Sequence, residues 1–221
     1  MKKFTLGFLA VAASLSAMLS SCEKDTIPKI EDVTYPNLLD CKDGTSFFPF
    51  IKDGNKITYK YTFFIDHNDP HPTDTVEMGI KVYEKGLFSF RYKPLTNNHT
   101  LILKQEEKFA AACSDVIYSL PADTAVVPYQ YPYRKKSYAT GDKFIGQDWT
   151  QYGNYKTLGF NATAYTVSGP ITACTRIAYT PYLGNSDTLA NFTDTLYWRS
   201  DIGTVMYKGA LYNYELLNKN F

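Results

Sequence analysis

The stretch KITYKYTFF, residues 56–64, decides the fold class. Ile57, Tyr59, Tyr61 and Phe63 alternate with Lys56, Thr58, Lys60 and Thr62. Successive side chains of a strand point to opposite faces, so this period of two puts one ring-bearing face against a core and one polar face in water. Tyrosine and threonine suit such a half-buried pleat. Asp53-Gly54-Asn55, just upstream, is turn chemistry. Downstream, TVEMGIKVYE (residues 75–84) and GLFSFRYKP (residues 86–94) read as two further strands meeting at Lys85-Gly86.

The C-terminal part repeats this pattern. FNATAYTVSG, ITACTRIAYT, DTLYWRSDIG, TVMYKGA and LYNYELL follow one another from residue 160 to residue 217, punctuated by Ser168-Gly169, Ile202-Gly203 and Lys208-Gly209. Between the two strand-rich parts, KQEEKFAAACSDVIYSL (residues 104–120) places Phe109, Ala112, Cys113, Val116, Ile117 and Leu120 at three- and four-residue steps before Pro121. That spacing predicts a helix, with Glu106 and Glu107 favourable near its N-terminus. Residues 121–158 show little period and are rich in Tyr, Pro, Gly and Lys, which predicts an irregular excursion. The expectation is a mostly β domain over residues 46–221: a curved antiparallel sheet or half-barrel with one covering helix at about 104–120.

The N-terminus carries a different signal. Lys2 and Lys3 precede an apolar run from Phe4 to Leu19, and Ser20-Ser21 lead into Cys22. This is the layout of a secretory signal peptide, and its apolar core is short for a membrane span. Leu-Ser-Ser-Cys resembles the lipobox of bacterial lipoproteins. The resemblance implies cleavage after residue 21 and a diacylated Cys22 thiol. Two acyl chains on one residue give stable anchoring. Residues 22–45 then read as a lipidated N-terminus and tether. Glu23 in place of an aspartate after the cysteine implies an outer-membrane address, on the periplasmic or the surface side. Cys22-Glu23-Lys24-Asp25 also resembles the acidic export signal of surface-exposed lipoproteins in some Gram-negative lineages.

Three stretches, FFPFIKDGNKITYKY (47–61), AYTVSGPITACTRIAYT (164–180) and LYWRSDIGTVMYKG (196–209), resemble segments of exported lipoproteins whose strands form a curved sheet or half-barrel. Such half-barrels are reminiscent of carriers that ferry lipids or lipoproteins across the periplasm. Ile57 stands where their first strand has tryptophan. The resemblance transfers no catalytic residue.

Composition narrows the function classes. The chain has 23 Lys+Arg and 22 Asp+Glu; without Lys2 and Lys3 the balance is 21 to 22, a net charge of −1. No basic stripe points to nucleic acid. After Cys22 three cysteines remain, Cys41, Cys113 and Cys174, without any C-x-x-C spacing. An exported chain can oxidise one pair of them, and the sequence does not choose the pair. Buried free thiols are the favoured reading.

Candidate sites are few. Asp66, His67, Asp69 and His71 are permissible ligands for a divalent ion and would serve a metal-assisted hydrolase. Pro70 and Pro72 deny them a helical face, and a polar connection without metal is the favoured reading. His99 has no evident nucleophile partner. No nucleophile elbow, phosphate loop, dinucleotide fingerprint or zinc-helix motif occurs, and no cofactor or enzymatic activity is expected. Acids such as Glu106, Glu107, Asp142 and Asp148 carry no glycosidase signature. Tyr129, Tyr131, Tyr133 and Tyr138 with Arg134 form the best recognition candidate, rings and a cation suited to a glycan or a peptide. The triplet Asp-Thr-apolar occurs at Thr26, Thr75, Thr124, Thr188 and Thr195. It resembles the O-glycosylation sequon of exported proteins in certain Gram-negative bacteria, and it is equally how strands begin. The functional expectation is a non-catalytic lipid-anchored envelope protein that binds a macromolecular or glycan partner. The alternative is a carrier or sensor holding an apolar ligand in its half-barrel.

Overall fold

A computed structural model describes residues 42–66, 69–83, 86–96, 106–120, 131–148, 151–183 and 190–221. They form twelve strands: β1 (Lys56–Asp66), β2 (Asp69–Val82), β3 (Leu87–Pro94), β4 (Glu106–Cys113), β5 (Val116–Ser119), β6 (Tyr131–Lys135), β7 (Lys143–Asp148), β8 (Gln151–Thr166), β9 (Gly169–Pro181), β10 (Asp194–Arg199), β11 (Gly203–Lys208) and β12 (Tyr212–Lys219). All belong to one antiparallel sheet in the order β6-β5-β4-β3-β2-β1-β12-β11-β10-β9-β8-β7. Consecutive strands pair from β1 to β6 and from β7 to β12, and β1 pairs with β12. Only β6 and β7 lack a ladder between them, so the sheet is a barrel nearly closed, with one seam.

The alternation in β1 is obeyed. Ile57, Tyr59 and Tyr61 are buried, while Lys56 is exposed. Cross-strand pairing carries the buried row outward, Ile57 opposite Met78 and Tyr59 opposite Val76 and Leu216. On the next ladder Met78 faces Tyr92 and Ile80 faces Phe90.

The lower end of the barrel, where β1 starts, is closed by the chain's own residues before β1. A single 3-10 turn, Thr45–Phe47, leads Phe48, Phe50 and Ile51 into the interior, all buried. Phe48 and Phe50 pack on Trp198 at ring separations of 6.4 and 5.7 Å. This plug is held by Gly44 N–H donating to Ala112 O (3.0 Å) and by Asn55 Nδ2 donating to Phe50 O (3.0 Å). Gly44 has no substitute here: a Cβ would lie 1.9 Å from the Ser114 carbonyl oxygen.

The expected helix at 104–120 is a β-hairpin. β4 and β5 meet at a two-residue turn, Ser114-Asp115, with Ser114 at φ 53°. Three- and four-residue spacing arose because the run Ala110-Ala111-Ala112 is buried on both faces, which erased the period-two signal. The excursion expected over 121–158 is also largely strand: β6, β7 and the start of β8 occupy residues 131–135, 143–148 and 151–158. Residues 121–130 lie outside the described residues.

β8 and β9 outrun their neighbours. The β7 ladder ends at Lys156 and the β10 ladder at Thr175, leaving the rest of the hairpin as a two-stranded ribbon. Two non-glycine residues in the left-handed region, Asn161 (φ 55°) and Ala173 (φ 57°), accompany register shifts that bend it. Its tip folds back on β12: Val167 N–H donates to Glu215 Oε2 (3.0 Å), and Ser168 Oγ donates to the carbonyls of Leu216 and Leu217. Glu215, Met206 and Tyr197 are cross-strand partners on the outer face, so the ribbon lies over that face. This is why Met206 is buried although it points away from the barrel interior, together with Ala164 and Cys174 of the ribbon.

Candidate functional site: an aromatic cleft inside the barrel

The interior is filled mainly by rings. Tyr61 stacks on Tyr214 at 5.1 Å, Tyr214 on Tyr207 at 5.2 Å and Tyr207 on Tyr212 at 5.2 Å. On the opposite wall Phe144, Tyr155 and Tyr179 follow one another at 4.9 and 4.6 Å. That wall depends on Gly153, where a Cβ would stand 1.9 Å from the Tyr179 ring.

Between the walls lies a cleft. Phe50, Trp198 and Gly203 form its lower part, and Tyr61, Tyr92 and Tyr214 lie above them. Tyr92 and Tyr214 are half-buried and mark where solvent reaches it. Its empty space is about 350 Å³ including the open mouth, but a water-sized sphere can enter only about 30 Å³ of it. That admits one or two waters and no acyl chain.

Tyr59 is the cleft phenol with a defined donor role. Tyr59 donates its hydroxyl proton to Thr204 O (2.9 Å), and burial raises its pKa far above the ordinary phenol value. Tyr138, beside the seam, is pushed up to about 12 by burial, partly offset by the Arg134 charge and the Lys135 N–H that it accepts. Among the described residues lining the cleft there is no carboxylate, imidazole or thiol. Its chemistry is that of a neutral surface with aromatic faces and hydroxyl edges.

The seam is closed by side chains. Trp198 Nε1–H donates to Lys135 O (3.0 Å), and Lys135 N–H donates to Tyr138 Oη (2.8 Å). The Lys135 ammonium sits 4.9 Å over the Phe144 ring. The Lys135 N–H and carbonyl at the end of β6 therefore have partners without a ladder.

Arg134 completes this region. It is buried, its guanidinium lies 3.9 Å over the Tyr133 ring, 5.4 Å from that of Tyr155 and 6.0 Å from that of Trp198, and Nη1 donates to Tyr133 O (2.6 Å). A planar, weakly hydrated cation suits such a stack.

The structure thus redistributes the expected recognition patch. Tyr133 and Arg134 are core residues and Tyr138 is half-buried, so the three build the barrel's inside and seam instead of an exposed platform. Tyr129 lies outside the described residues, and Tyr131 is described only as part of β6. Residues missed in the sequence are Trp198, Tyr61 and Tyr214. The alternation of 59/61 and 212/214 marked their strands as half-buried, but not that the two would meet.

The metal candidates fall on a tight hairpin. β1 runs to Asp66 and β2 starts at Asp69, paired with it, so the polar connection shrinks to two residues. Pro70 and His71 are strand residues. His67 lies outside the described residues, and so does His99. Among the described residues no group of three or more potential metal ligands comes together.

Of the Asp-Thr-apolar triplets, two are described. Asp74 and Asp194 are buried, while Thr75 and Thr195 are half-buried strand residues. Thr26, Thr124 and Thr188 lie outside the described residues, as does Cys22. Asp74 accepts the Thr96 hydroxyl at 3.2 Å, and Asp194 accepts the Tyr207 hydroxyl and the Ala210 N–H. Burial raises the Asp194 pKa, and the two hydrogen bonds partly offset the rise. These aspartates therefore have structural work inside the barrel whatever happens at the neighbouring threonines.

The cysteines divide. Cys174 is a buried free thiol, as the sequence favoured, whereas Cys113 is in a disulfide, which corrects the free-thiol reading for it.

No family model and no curated protein matches the chain. Among solved structures it is similar to a candidate exported protein of Bacteroides fragilis with a YmcC-like fold, at 11% identity and a TM-score of 0.49, covering 79% of this chain and 99% of that one. It is also similar to a candidate lipoprotein of Parabacteroides distasonis, at 11% identity and a TM-score of 0.47, covering 82% of this chain and 100% of that one. These are likenesses in shape at low identity, and the fold stands on this chain's own ladders.

Proposed function

We propose that the protein is a non-catalytic envelope lipoprotein, anchored in the outer membrane through an acylated Cys22, that acts by binding a macromolecular or glycan partner. The observation that carries the binding reading is the filled barrel. Where a carrier would hold an acyl chain, the aromatic rows meet and leave water-sized space. Recognition then falls to the barrel's rim and outer surface. The leader and its Leu-Ser-Ser-Cys ending support the anchoring.

Native mass spectrometry of exported residues 23–221 tests the choice. A mass equal to the polypeptide supports the binding reading. Extra mass that vanishes in organic solvent and matches a lipid would replace it with the carrier reading. Lipidation is read separately on the full chain, as an acyl mass on Cys22 that is absent in Cys22→Ser.

A further inference from the structure

The β8–β9 ribbon carries no charge. From Thr157 to Thr175, 19 consecutive residues include no Asp, Glu, Lys, Arg or His, in a chain that is 20% charged and would place about four charges in a run of that length. Lys156 and Arg176, both exposed, border it. Part of the ribbon is accounted for by packing: Ala164 and Cys174 are buried, as is Met206 on the outer face of the wall. Other side chains of the same run face solvent. Tyr165 is 76% exposed, Val167 47%, Phe160 43% and Leu158 38%. Leu217, 37% exposed, stands beside the tip, where Ser168 Oγ donates to its carbonyl. Exposed apolar groups gathered in this way mark a contact surface.

We infer that this ribbon is a membrane-facing surface, laid in the headgroup region of a lipid bilayer. An uncharged run enters that region without stripping water from an ion. Tyrosine suits the headgroup level, and Lys156 and Arg176 at the border of the run meet lipid phosphates there. The tip's polar groups have partners within the protein: Thr166 Oγ1 donates to Gly169 O (2.8 Å), Val167 N–H to Glu215 Oε2 (3.0 Å) and Ser168 Oγ to the carbonyls of Leu216 and Leu217. Position agrees with chemistry. The ribbon leaves the barrel at the lower end, where the described chain also begins, Lys42 O accepting the Ser114 N–H (2.9 Å) at the β4–β5 turn. The cleft's mouth at the upper end is then turned away from the bilayer and open to a partner. Size argues against a protein occupant. Five side chains fall short of the roughly 20–30 residues a side of a stable protein–protein interface. An anchored protein needs only a small further gain to settle one face on lipid, because the anchor holds it at high effective concentration. The patch stands on the ribbon alone; its membrane address rests on the anchoring proposed above.

The test is fluorescence quenching of the full, exported chain in vesicles of phosphatidylethanolamine and phosphatidylglycerol, with acyl chains brominated or plain. Tyr165→Trp reports from the ribbon tip. Leu211→Trp, at a position 67% exposed on the upper end, is the control, and the native protein supplies the emission of Trp149 and Trp198 to be subtracted. Brominated lipid should lower the Tyr165→Trp signal about twofold, as for a ring seated about 5–10 Å into the headgroup boundary, and leave Leu211→Trp unchanged. No quenching of Tyr165→Trp, or equal quenching of the two variants, overturns the inference. The same pair is read in the Cys22→Ser chain, held by an N-terminal histidine tag to vesicles carrying a nickel-chelating lipid. The acyl mass on Cys22 is measured separately. An unacylated chain therefore undoes the anchoring alone, while the tagged chain still decides the patch. Without lipid the tagged chain should sediment as a monomer. A dimer that is lost in Tyr165→Ser/Val167→Ser would hand the patch to a second copy of the chain and overturn the inference as well.

Discussion

At the lower end of the barrel the five connections between strands take two to seven residues; at the upper end three of six take eleven or twelve, at 95–105, 120–130 and 182–193. The lower end is also where the chain enters and plugs the interior with Phe48 and Phe50. The upper end is where the cleft's half-buried tyrosines meet solvent. In an up-and-down sheet alternate connections share one end, so this asymmetry is a property of the sequence laid onto the topology. Short turns and a buried plug serve stability, and long connections are where binding surfaces are usually carried. The comparison therefore assigns structure to one end and, under the proposed function, recognition to the other.

The largest effect should break the lower end. Trp198 is fully buried, carries both plug phenylalanines and donates across the seam to Lys135 O. Trp198→Ala should lower stability by about 3–5 kcal/mol, read as a urea midpoint shift. Tyr212→Ala at the upper end removes a half-buried ring of the tyrosine row and should cost about 1 kcal/mol. Equal losses would mean that the two ends share the burden of stability.

Much of this division was legible and some was not, for reasons located in particular residues. Alternation at 57/59/61 and 212/214 exposed the strands that pair β1 with β12. It failed at Ala110-Ala111-Ala112, buried on both sides, where the plug crosses the end of β4 near Gly44. It failed again at 131–148, where strand faces are mixed: Arg134 lies inside, and Ile145 is buried alongside Phe144. The tyrosine and arginine cluster was found as a cluster but set in solvent, because a cation among rings reads the same inside or outside a barrel. Only closure of the sheet brings Tyr155 and Trp198 to Arg134.

A smaller effect sharpens the comparison between the inside and the outside of the wall. Asp194 is a buried carboxyl near the upper end whose pKa burial raises. Glu107, on the outer face, has its pKa lowered, first by the Ser89 hydroxyl (2.5 Å) and then by Arg91 (3.0 Å) and Tyr83 (2.9 Å). A raised carboxyl favours folding in its neutral form, so the Asp194 contribution is greatest below its unfolded pKa and declines as pH rises through the folded one. A lowered carboxyl does the reverse: the Glu107 contribution is present above its unfolded pKa and is lost as pH falls through the folded one. Urea midpoints between pH 3 and 7 should therefore move Asp194→Asn up relative to the native protein as pH rises, and Glu107→Gln down. The Glu107 effect should stay within about 1 kcal/mol, because its side chain is 34% exposed and that of Arg91 is 56% exposed. Parallel pH profiles for the two variants would contradict the opposite environments described for them.

The smallest effect has the opposite sign. Thr157 faces the interior opposite Ile177 and is 1% exposed, and its hydroxyl has no hydrogen-bond partner among the described residues. A buried hydroxyl in that state loses its water without a replacement, a penalty of about 1–3 kcal/mol. Valine keeps the branched shape and the strand preference and removes the stranded group. Thr157→Val should therefore raise the urea midpoint, by up to about 1 kcal/mol once the exchange of hydroxyl for methyl in a packed wall is counted. A loss of stability instead would mean that the hydroxyl has a partner in solution, a buried water above all. The cleft between the aromatic rows would then be wetter than its packing indicates, and the case against an occupant inside the barrel would weaken with it.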